Sequence, residues 1–230
     1  MDETGHKDNG KRMWTWCFRA SLYTLFKIDP TRSASVLIEV LGKEFDGVLG
    51  CDCFSAYRRF MREFDVTLQF CLAHLIRDTR YHLEAGDTVI APAFMDLLKR
   101  ACAVGRRRDD LDKAQLEAQR RKLVNRLSHV LSLNPICDAG RKMIKIIAKL
   151  RHNLFVFVTN RSLSPTNNGS ERALRPCAVY RKITNGFRSQ WAATLYADIR
   201  SAVETGRRRR IRAIDAITTT LAGNPIPVLA

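Results

Sequence analysis

The chain has 230 residues, of which 46% are hydrophobic, and this composition excludes an intrinsically disordered protein. Its 39 lysines and arginines outnumber 23 acids, giving a net charge of +16, which favours a polyanionic partner, nucleic acid first, over the plainer alternative of a soluble basic protein. Apolar runs such as 154–158 are too short to cross a membrane, and we expect neither a secretory signal nor a membrane partner.

The first part of the chain predicts two strands followed by a helix. Residues 1–12 are polar and predict a turn-like segment. Two apolar runs after it have the length and composition of strands, 13–18 and 22–28. A helix follows, which Thr31 or Ser33 would cap and Gly42 would end.

The next group of elements surrounds a single acid, Asp52. Residues 45–54 are mostly apolar and predict a buried strand that this acid ends. Ser55 would cap the next helix, and 66–72 would form a further strand. One face of that helix carries apolar residues at helical spacing, namely Tyr57, Phe60, Met61 and Phe64.

The remaining elements are mostly helical. Residues 74–150 are charged and carry apolar residues at helical spacing, which predicts a helical insertion. Residues 154–159 predict one more strand, 160–168 a loop, and Glu171 the opening of a further helix. A later helix has the apolar face Ala192, Leu195, Tyr196, Ile199 and Val203. Four arginines at 207–210 precede a short final helix, and the whole order predicts an α/β fold with a central sheet.

Three acids are candidates for a metal site. Asp52 ends an apolar strand, where a charge is costly unless it is paired or bound to a metal, and the plainer alternative is a cap for the next helix. Glu171 lies three residues after Asn168, so the two could form a capping box, which is compatible with a ligand role. Asp2 is the third candidate, and its alternative is a frayed, solvated terminus. Phosphoryl transfer commonly uses two cations about 4 Å apart held by carboxylates, so these acids predict a magnesium site acting on nucleic acid.

Basic side chains interleaved with apolar ones follow Glu171. They are Arg172, Arg175, Arg181, Lys182 and Arg188, alternating with Leu174, Tyr180 and Phe187. Such basic groups bind backbone phosphates, and the aromatic rings pack or stack on bases. The alternative for part of this set is a solvated helix face. The arginine run 207–210 could likewise be either a DNA contact or simply exposed surface.

The seven cysteines are odd in number and have no framework spacing, which predicts reduced thiols in the cytosol. Cys51, Cys53, Cys71 and His74 form C-x-C and C-x-x-H pairs, whose residue types suit zinc. The C-x-C spacing differs from a usual zinc knuckle, and a strand would turn Cys51 and Cys53 away from Asp52 and toward the core. A zinc-stabilised nucleic-acid-binding module is therefore an alternative to the magnesium site.

Five segments, in the same order and over nearly the whole chain, resemble the catalytic region of the bacterial insertion-sequence-sixty-six transposases, a DDE (Asp-Asp-Glu) class. The matching segments are DETGHKDNGKRMWTW at the start, GVLGCDCFSAYRRF around Asp52, CLAHLIRD, SPTNNGSERALRP around Glu171, and YRKITNGFRSQWAATLYADIRSAVETGRRR. Each segment alone is a weak signal, and their combination is specific.

The resemblance implies a ribonuclease-H-like fold, with a central mixed sheet flanked by helices and a helical insertion before the third acid. It places Asp2, Asp52 and Glu171 on the family's three acids, which would hold two Mg²⁺ (or Mn²⁺) ions for cut-and-join chemistry. It also implies supporting residues close to the second and third acids, namely His74, Arg77, Asn167 and Asn168. DNA, as transposon ends and target, is the implied partner, with a homo-oligomer on the DNA and a place at the bacterial nucleoid as further expectations.

The resemblance also suggests a division of the chain. The expected parts are 1–73, the first part of the ribonuclease-H-like core; 74–152, the helical insertion; 153–206, the second part of the core with the third acid and the DNA-contact segment; and 207–230, a basic helix and tail. Family members normally carry a region for recognising and pairing DNA ends before the first acid, whereas only Met1 precedes Asp2 here. We therefore expect a truncated transposase, with an inactive DNA-binding remnant as the alternative function.

Overall fold

The computed structural model describes residues 1–228 and divides the chain into two compact units. The first unit contains Met1–Gly42 and the chain from Asn168 onward. The second unit is the continuous segment Lys43–Asn167. The four-part division expected from the sequence stays a prediction.

The fold is mixed α/β, as the sequence predicts. The strands are β1 (Asp2–Asp8), β2 (Lys11–Arg19), β3 (Thr24–Asp29), β4 (Val48–Cys51) and β5 (Thr67–Phe70). The helices are α1 (Ala34–Leu41), α2 (Ser55–Phe64), α3 (Leu72–Glu84), α4 (Ile90–Arg107), α5 (Lys113–Ser132), α6 (Asp138–Leu150), α7 (Val156–Thr159), α8 (Asn168–Thr184), α9 (Gln190–Arg208) and α10 (Ala213–Leu221). Single 3₁₀ turns lie at Arg108–Asp110 and Arg151–Asn153. Within residues 1–228, no helix is long and apolar enough to cross a membrane.

The sheet of the first unit has three antiparallel strands in the order β1-β2-β3. β2 and β3 confirm the two predicted strands, but the prediction of a turn over 1–12 was wrong because β1 occupies most of it. A two-residue turn at Asn9 and Gly10, both with positive φ, joins β1 to β2. The prediction failed because polar side chains do not prevent the backbone of β1 from pairing with β2.

Helix α1 follows the sheet with the caps that the sequence predicts. The hydroxyl of Ser33 accepts the backbone N–H of Ser35 at 3.3 Å, which satisfies one of the free donors at the start of the helix. At the other end, Gly42 has a φ of 81°, a conformation that favours glycine. Both ends were therefore encoded locally.

Helix α9 lies against the outer edge of β3 rather than presenting the predicted apolar face. The backbone N–H groups of Thr24 and Phe26 donate to hydroxyls of Thr205 and Ser201, at 3.1 and 2.8 Å. Small residues make this close approach possible, and Leu195 and Ile199 from the predicted face are exposed instead. Helix α9 thus covers an otherwise unpaired strand edge, a need that helical periodicity does not reveal.

The second unit is built on two parallel strands, β4 and β5, and a set of helices. The predicted strands 45–54 and 66–72 are present in shorter form, and Cys71 extends the pairing by donating its backbone N–H to the carbonyl of Cys51 at 2.7 Å. Tyr57 and Phe60, on the predicted apolar face of α2, are fully buried. Helix α2 starts at Ser55, with Phe54 as its N-cap, so the predicted Ser55 cap was wrong.

Helices α3 to α6 confirm the helical prediction for 74–150, whereas the strand predicted over 154–159 was wrong. That segment is a short helical turn, α7. The buried amide of Gln69 explains the difference, because it accepts the N–H of Phe157 and donates to the carbonyl of Leu154, both at 3.0 Å. A fully buried apolar run has no periodicity that could distinguish these two states.

Candidate catalytic acids and nucleic-acid interface

Asp2 lies in an ordered strand, on the face of the sheet that packs against α8. It is paired with Cys17 in the β1–β2 ladder, so the alternative of a frayed terminus was wrong. Thr4 shares the same face by the two-residue period of a strand, and it accepts a hydrogen bond from Arg181 of α8 at 3.4 Å. Burial, and to a lesser extent the charges of Cys177 and Asp2, raise the pKa of the Cys17 thiol to about 12.

Glu171 lies in the first turn of α8, which confirms that a helix opens there. Helix α8 begins at Asn168, so Asn168 is its first helical residue and not the predicted N-cap. Ala173 and Leu174 are buried against Cys17 in one core cluster. Asp2 is thus opposite a residue of this cluster, and Glu171 is in the helical turn that leads into it.

Asp52 directly follows β4 in the second unit. Its carboxylate accepts the backbone N–H of Phe54 at 2.9 Å; Phe54 is itself the N-cap of α2, so Asp52 forms a local turn before the helix and is not its cap. Because β4 and β5 are parallel, Asp52 lies at the same edge of the strand pair as Cys71, which precedes α3. His74 is in the first turn of α3, and the N–H of Asn167 donates to the sulfur of Cys71 at 3.2 Å.

A metal centre of three side chains is not assembled among the described residues. Within 1–228, no three His, Cys, Asp or Glu side chains form a group that could hold a metal ion. Asp2 and Glu171 belong to the first unit, and Asp52 belongs to the second. Mg²⁺ is commonly held by one or two carboxylates together with water and substrate phosphates, so the chemistry of these acids fits that ion. The two-ion centre stays a prediction.

Two cysteines of the second unit lie in apolar surroundings. Cys51 is fully buried in β4. Burial, followed by the negative charges of Asp52 and Asp78, raises the pKa of the Cys53 thiol to about 12 in the metal-free protein. The zinc-stabilised alternative stays a prediction.

The basic residues after Glu171 fall into two groups. Arg172, Arg175 and Lys182 are exposed and lie along one outer stripe of α8. Arg181 instead turns inward and donates to the carbonyl of Gly5 in β1. The exposed Arg188 is held at its backbone, where its carbonyl accepts the side-chain amide of Asn9 at 2.8 Å. The stripe offers charge to solvent, whereas Arg181 ties α8 to the sheet.

The aromatic residues of this segment form a stack inside the first unit. Phe187 is buried, and its ring stacks on His6 of β1 with centroids 5.1 Å apart. The ring of Tyr180 packs against the rings of Phe187 and of Tyr196 in α9. These rings therefore pack against the protein, one of the two roles that the sequence left open. They hold the chain after α8 against β1, where the N–H of Phe187 donates to the carbonyl of Lys7 at 2.8 Å.

His6 is a buried residue that the sequence did not single out. Neither ring nitrogen has a hydrogen-bond partner within residues 1–228. Burial, and then the positive charge of Arg181, lower the pKa of His6 to about 4, so the ring is neutral at physiological pH. A histidine in a strand that otherwise reads as polar gave no local signal of burial.

Comparison with known proteins identifies one family. A sequence model described as "Transposase IS66 family" matches residues 1–195. This range contains all three candidate acids and the basic stripe of α8. No curated protein and no solved structure matches the chain.

Proposed function

The chain belongs to the IS66 transposase family, and from this membership we propose that it is a transposase catalytic domain that cleaves DNA strands and transfers them at insertion-sequence ends. The observation that carries the proposal is the family match over residues 1–195, which spans Asp2, Asp52 and Glu171. The reaction class is phosphoryl transfer in DNA transposition and recombination.

The three acids are proposed to be the metal ligands. Two Mg²⁺ or Mn²⁺ ions, when bound, would supply charge neutralisation at the attacking and leaving oxygens of a phosphodiester. The backbone positions the carboxylates: β1 carries Asp2, the end of β4 carries Asp52, and the first turn of α8 carries Glu171. Rigid elements suit this task, because catalysis of phosphoryl transfer consists mainly of positioning and electrostatic stabilisation.

DNA is the proposed partner, and the stripe of α8 is proposed to hold its backbone. Arg172, Arg175 and Lys182 are exposed on one side of the helix that carries Glu171. Arg188 extends the basic surface beyond the helix, whereas Arg181 would support it from within. Contacts of this kind release counterions, so binding would weaken steeply as salt increases.

We also propose the ribonuclease-H-like fold and the assembly of copies on DNA that the resemblance implies. The alternation of strands and helices from β1 to β5, with acids on β1 and after β4, supports the fold. His74, Arg77, Asn167 and Asn168 are proposed to support the acids: His74 and Arg77 lie in the first two turns of α3, Asn168 begins α8, and Asn167 directly precedes it.

A DNA-binding protein without cleavage activity is the second candidate. It is supported by the net charge of +16, which favours a polyanionic partner and requires no metal site. The strong positive charge and the stripe of α8 would serve this function equally well.

Nicking of supercoiled plasmid in Mg²⁺ or Mn²⁺ tests the main proposal. The parent chain is expected to nick the plasmid only with metal. Glu171→Gln and Asp52→Asn each remove one charge with little change in shape, and we expect at least about a 100-fold loss of rate from each.

Asp96→Asn is the matched control, because Asp96 is an exposed acid on α4 that pairs with Arg100. It should nick at the parent rate. Equal nicking by the parent and Glu171→Gln would refute the role of Glu171. A parent chain that binds DNA but never nicks it would leave the second candidate as the function.

A further inference from the structure

Four arginines from three elements of the first unit converge near the start of α8. We call them the arginine cluster: Arg19 of β2, Arg172 of α8, and Arg207 and Arg208 of α9. Arg19 is close enough to Arg172 and Arg207 for their charges to lower its pKa, after the larger effect of burial. Arg208 is affected in the same way by burial, and then by Arg19 and Arg207.

The position of Arg19 is fixed by a close approach to Gly169. A Cβ atom at this glycine would overlap the guanidinium of Arg19, so the guanidinium lies directly on the first turn of α8. The N-terminal end of a helix carries a partial positive charge, which makes it an unfavourable place for a cation. Residues 1–228 provide no hydrogen-bond acceptor or paired carboxylate for Arg19.

Acidic groups do not balance the cluster. Glu204 is buried and is already bound by two arginines, Arg200 and Arg207, each at 2.8 Å. Arg208 donates to the backbone carbonyl of Ser21 at 2.6 Å, which fixes its position without neutralising its charge. Among the ion pairs within residues 1–228, Glu204 is the carboxylate that pairs with a member of the cluster, Arg207.

Like charges are held together at a cost in free energy, and an anion that bridges them removes that cost. Arginine is suited to phosphate, since its planar fork donates two parallel hydrogen bonds to phosphate oxygens. The cluster is accessible, because Arg19, Arg172 and Arg207 are exposed. Gly169, on which Arg19 lies, and Glu171, the proposed third acid, both belong to the first turn of α8 and face different sides of that helix.

We propose that the arginine cluster binds a phosphodiester group that neighbours, along the same DNA strand, the phosphodiester that is cleaved. This contact sets the position of the strand relative to Glu171. This inference rests on the proposed function for the identity of the ligand, and it adds three residues from outside the basic segment, Arg19, Arg207 and Arg208. Arg19 is the central contact because it has no structural partner.

Binding of a fluorescein-labelled DNA duplex, followed by anisotropy in EDTA over a range of NaCl concentrations, tests the inference without metal or cleavage. Arg19→Ala should reduce the slope of log Kd against log salt by about 1, the effect of one lost phosphate contact. Gly169→Ala keeps every charge but displaces the guanidinium of Arg19, whose flexible end can move aside. Like Arg19→Ala, Gly169→Ala should weaken DNA binding.

Arg121→Ala is the matched control, since Arg121 is an exposed arginine of α5 in the second unit. It should bind with the slope of the parent chain. Parent-like slopes and affinities for both Arg19→Ala and Gly169→Ala would overturn the inference, as would a parent chain that binds no DNA. Loss of nicking in the plasmid assay would leave this result untouched, so the two proposals fail separately.

Discussion

Asp87 of the second unit and Arg19 of the first are both charged, and the protein surrounds them in opposite ways. The carboxylate of Asp87 is fully buried and accepts the backbone N–H groups of Val89, Ile90 and Ala91 at 3.2, 3.0 and 2.9 Å. The guanidinium of Arg19 lies on the first turn of α8 beside other arginines, and residues 1–228 give it no acceptor.

Some further polar groups show the same contrast, although the Nε of Arg58 in the second unit is also buried without a hydrogen-bond partner within residues 1–228. In the second unit, Gln69 and Arg108 each satisfy several backbone groups, so their polarity serves the fold. In the first unit, His6 is buried without a hydrogen-bond partner, and the arginine cluster holds unbalanced charge. Polar groups that do not serve the fold are expected where binding or chemistry takes place. The comparison therefore supports the proposal that the first unit makes the DNA contact.

The largest effect on stability should come from Asp87. Asp87→Ala removes a buried acceptor and leaves three backbone donors at the start of α4 without a partner. We expect the free energy of unfolding to fall by about 4 kcal/mol, measured by urea denaturation. Asp138→Ala is the control, because Asp138 is exposed and forms a surface ion pair with Arg141; its loss should cost less than about 1 kcal/mol. Similar losses for both variants would break the comparison.

An intermediate effect is expected from His6, and it depends on pH. The folded protein holds the pKa of His6 near 4, below its ordinary value of 6.5. The unfolded chain therefore binds the proton first as pH falls, and stability that is present above pH 6.5 is lost on the way down to pH 4. Between pH 7.5 and pH 4.5, the unfolding free energy of the parent should therefore fall by about 2 to 3 kcal/mol more than that of His6→Phe.

His129→Gln is the control for this pH dependence. His129 is exposed on α5, so its replacement should leave the change in unfolding free energy between the two pH values as it is in the parent. A His6→Phe variant with the full pH dependence of the parent would show that the buried ring is not what titrates. The pH dependence of stability would then have to come from carboxylates.

Local signals in the sequence predict much of this fold. The caps of α1 at Ser33 and Gly42 were predicted because they depend on residues next to each other in the chain. The helix opening at Glu171 and the acid at the end of β4 were predicted for the same reason. By contrast, 154–159 was assigned wrongly because its backbone is satisfied by Gln69, which is distant in sequence.

The arginine cluster could not be predicted from the sequence. Arg19 is the last residue of an ordinary strand, and Arg207 and Arg208 belong to a run that reads as solvated surface. Their proximity depends on α9 covering the edge of β3 and on Gly169 admitting the guanidinium. The place of Asp2 in a strand could not be predicted for the same reason. It depends on pairing with β2 and not on the residues next to Asp2 in the chain.

The smallest effect on stability is expected from the replacement of Arg19. Replacing Arg108 of the second unit in the same way tests the contrast between the two units directly. Arg108 is half-buried in the second unit and donates to the carbonyls of Phe157, Asn160 and Arg161 at 2.8, 3.3 and 2.8 Å. Arg108→Ala leaves these acceptors without their donor and should lower the free energy of unfolding by about 2 kcal/mol.

Arg19→Ala removes no such bond and relieves repulsion between arginines. It should therefore change the free energy of unfolding by no more than about 0.5 kcal/mol, and at low salt the change should be an increase. Urea denaturation of both variants at two NaCl concentrations measures the difference. A loss at Arg19 as large as that at Arg108 would mean that Arg19 serves the fold, and its assignment to DNA would then lose its physical basis.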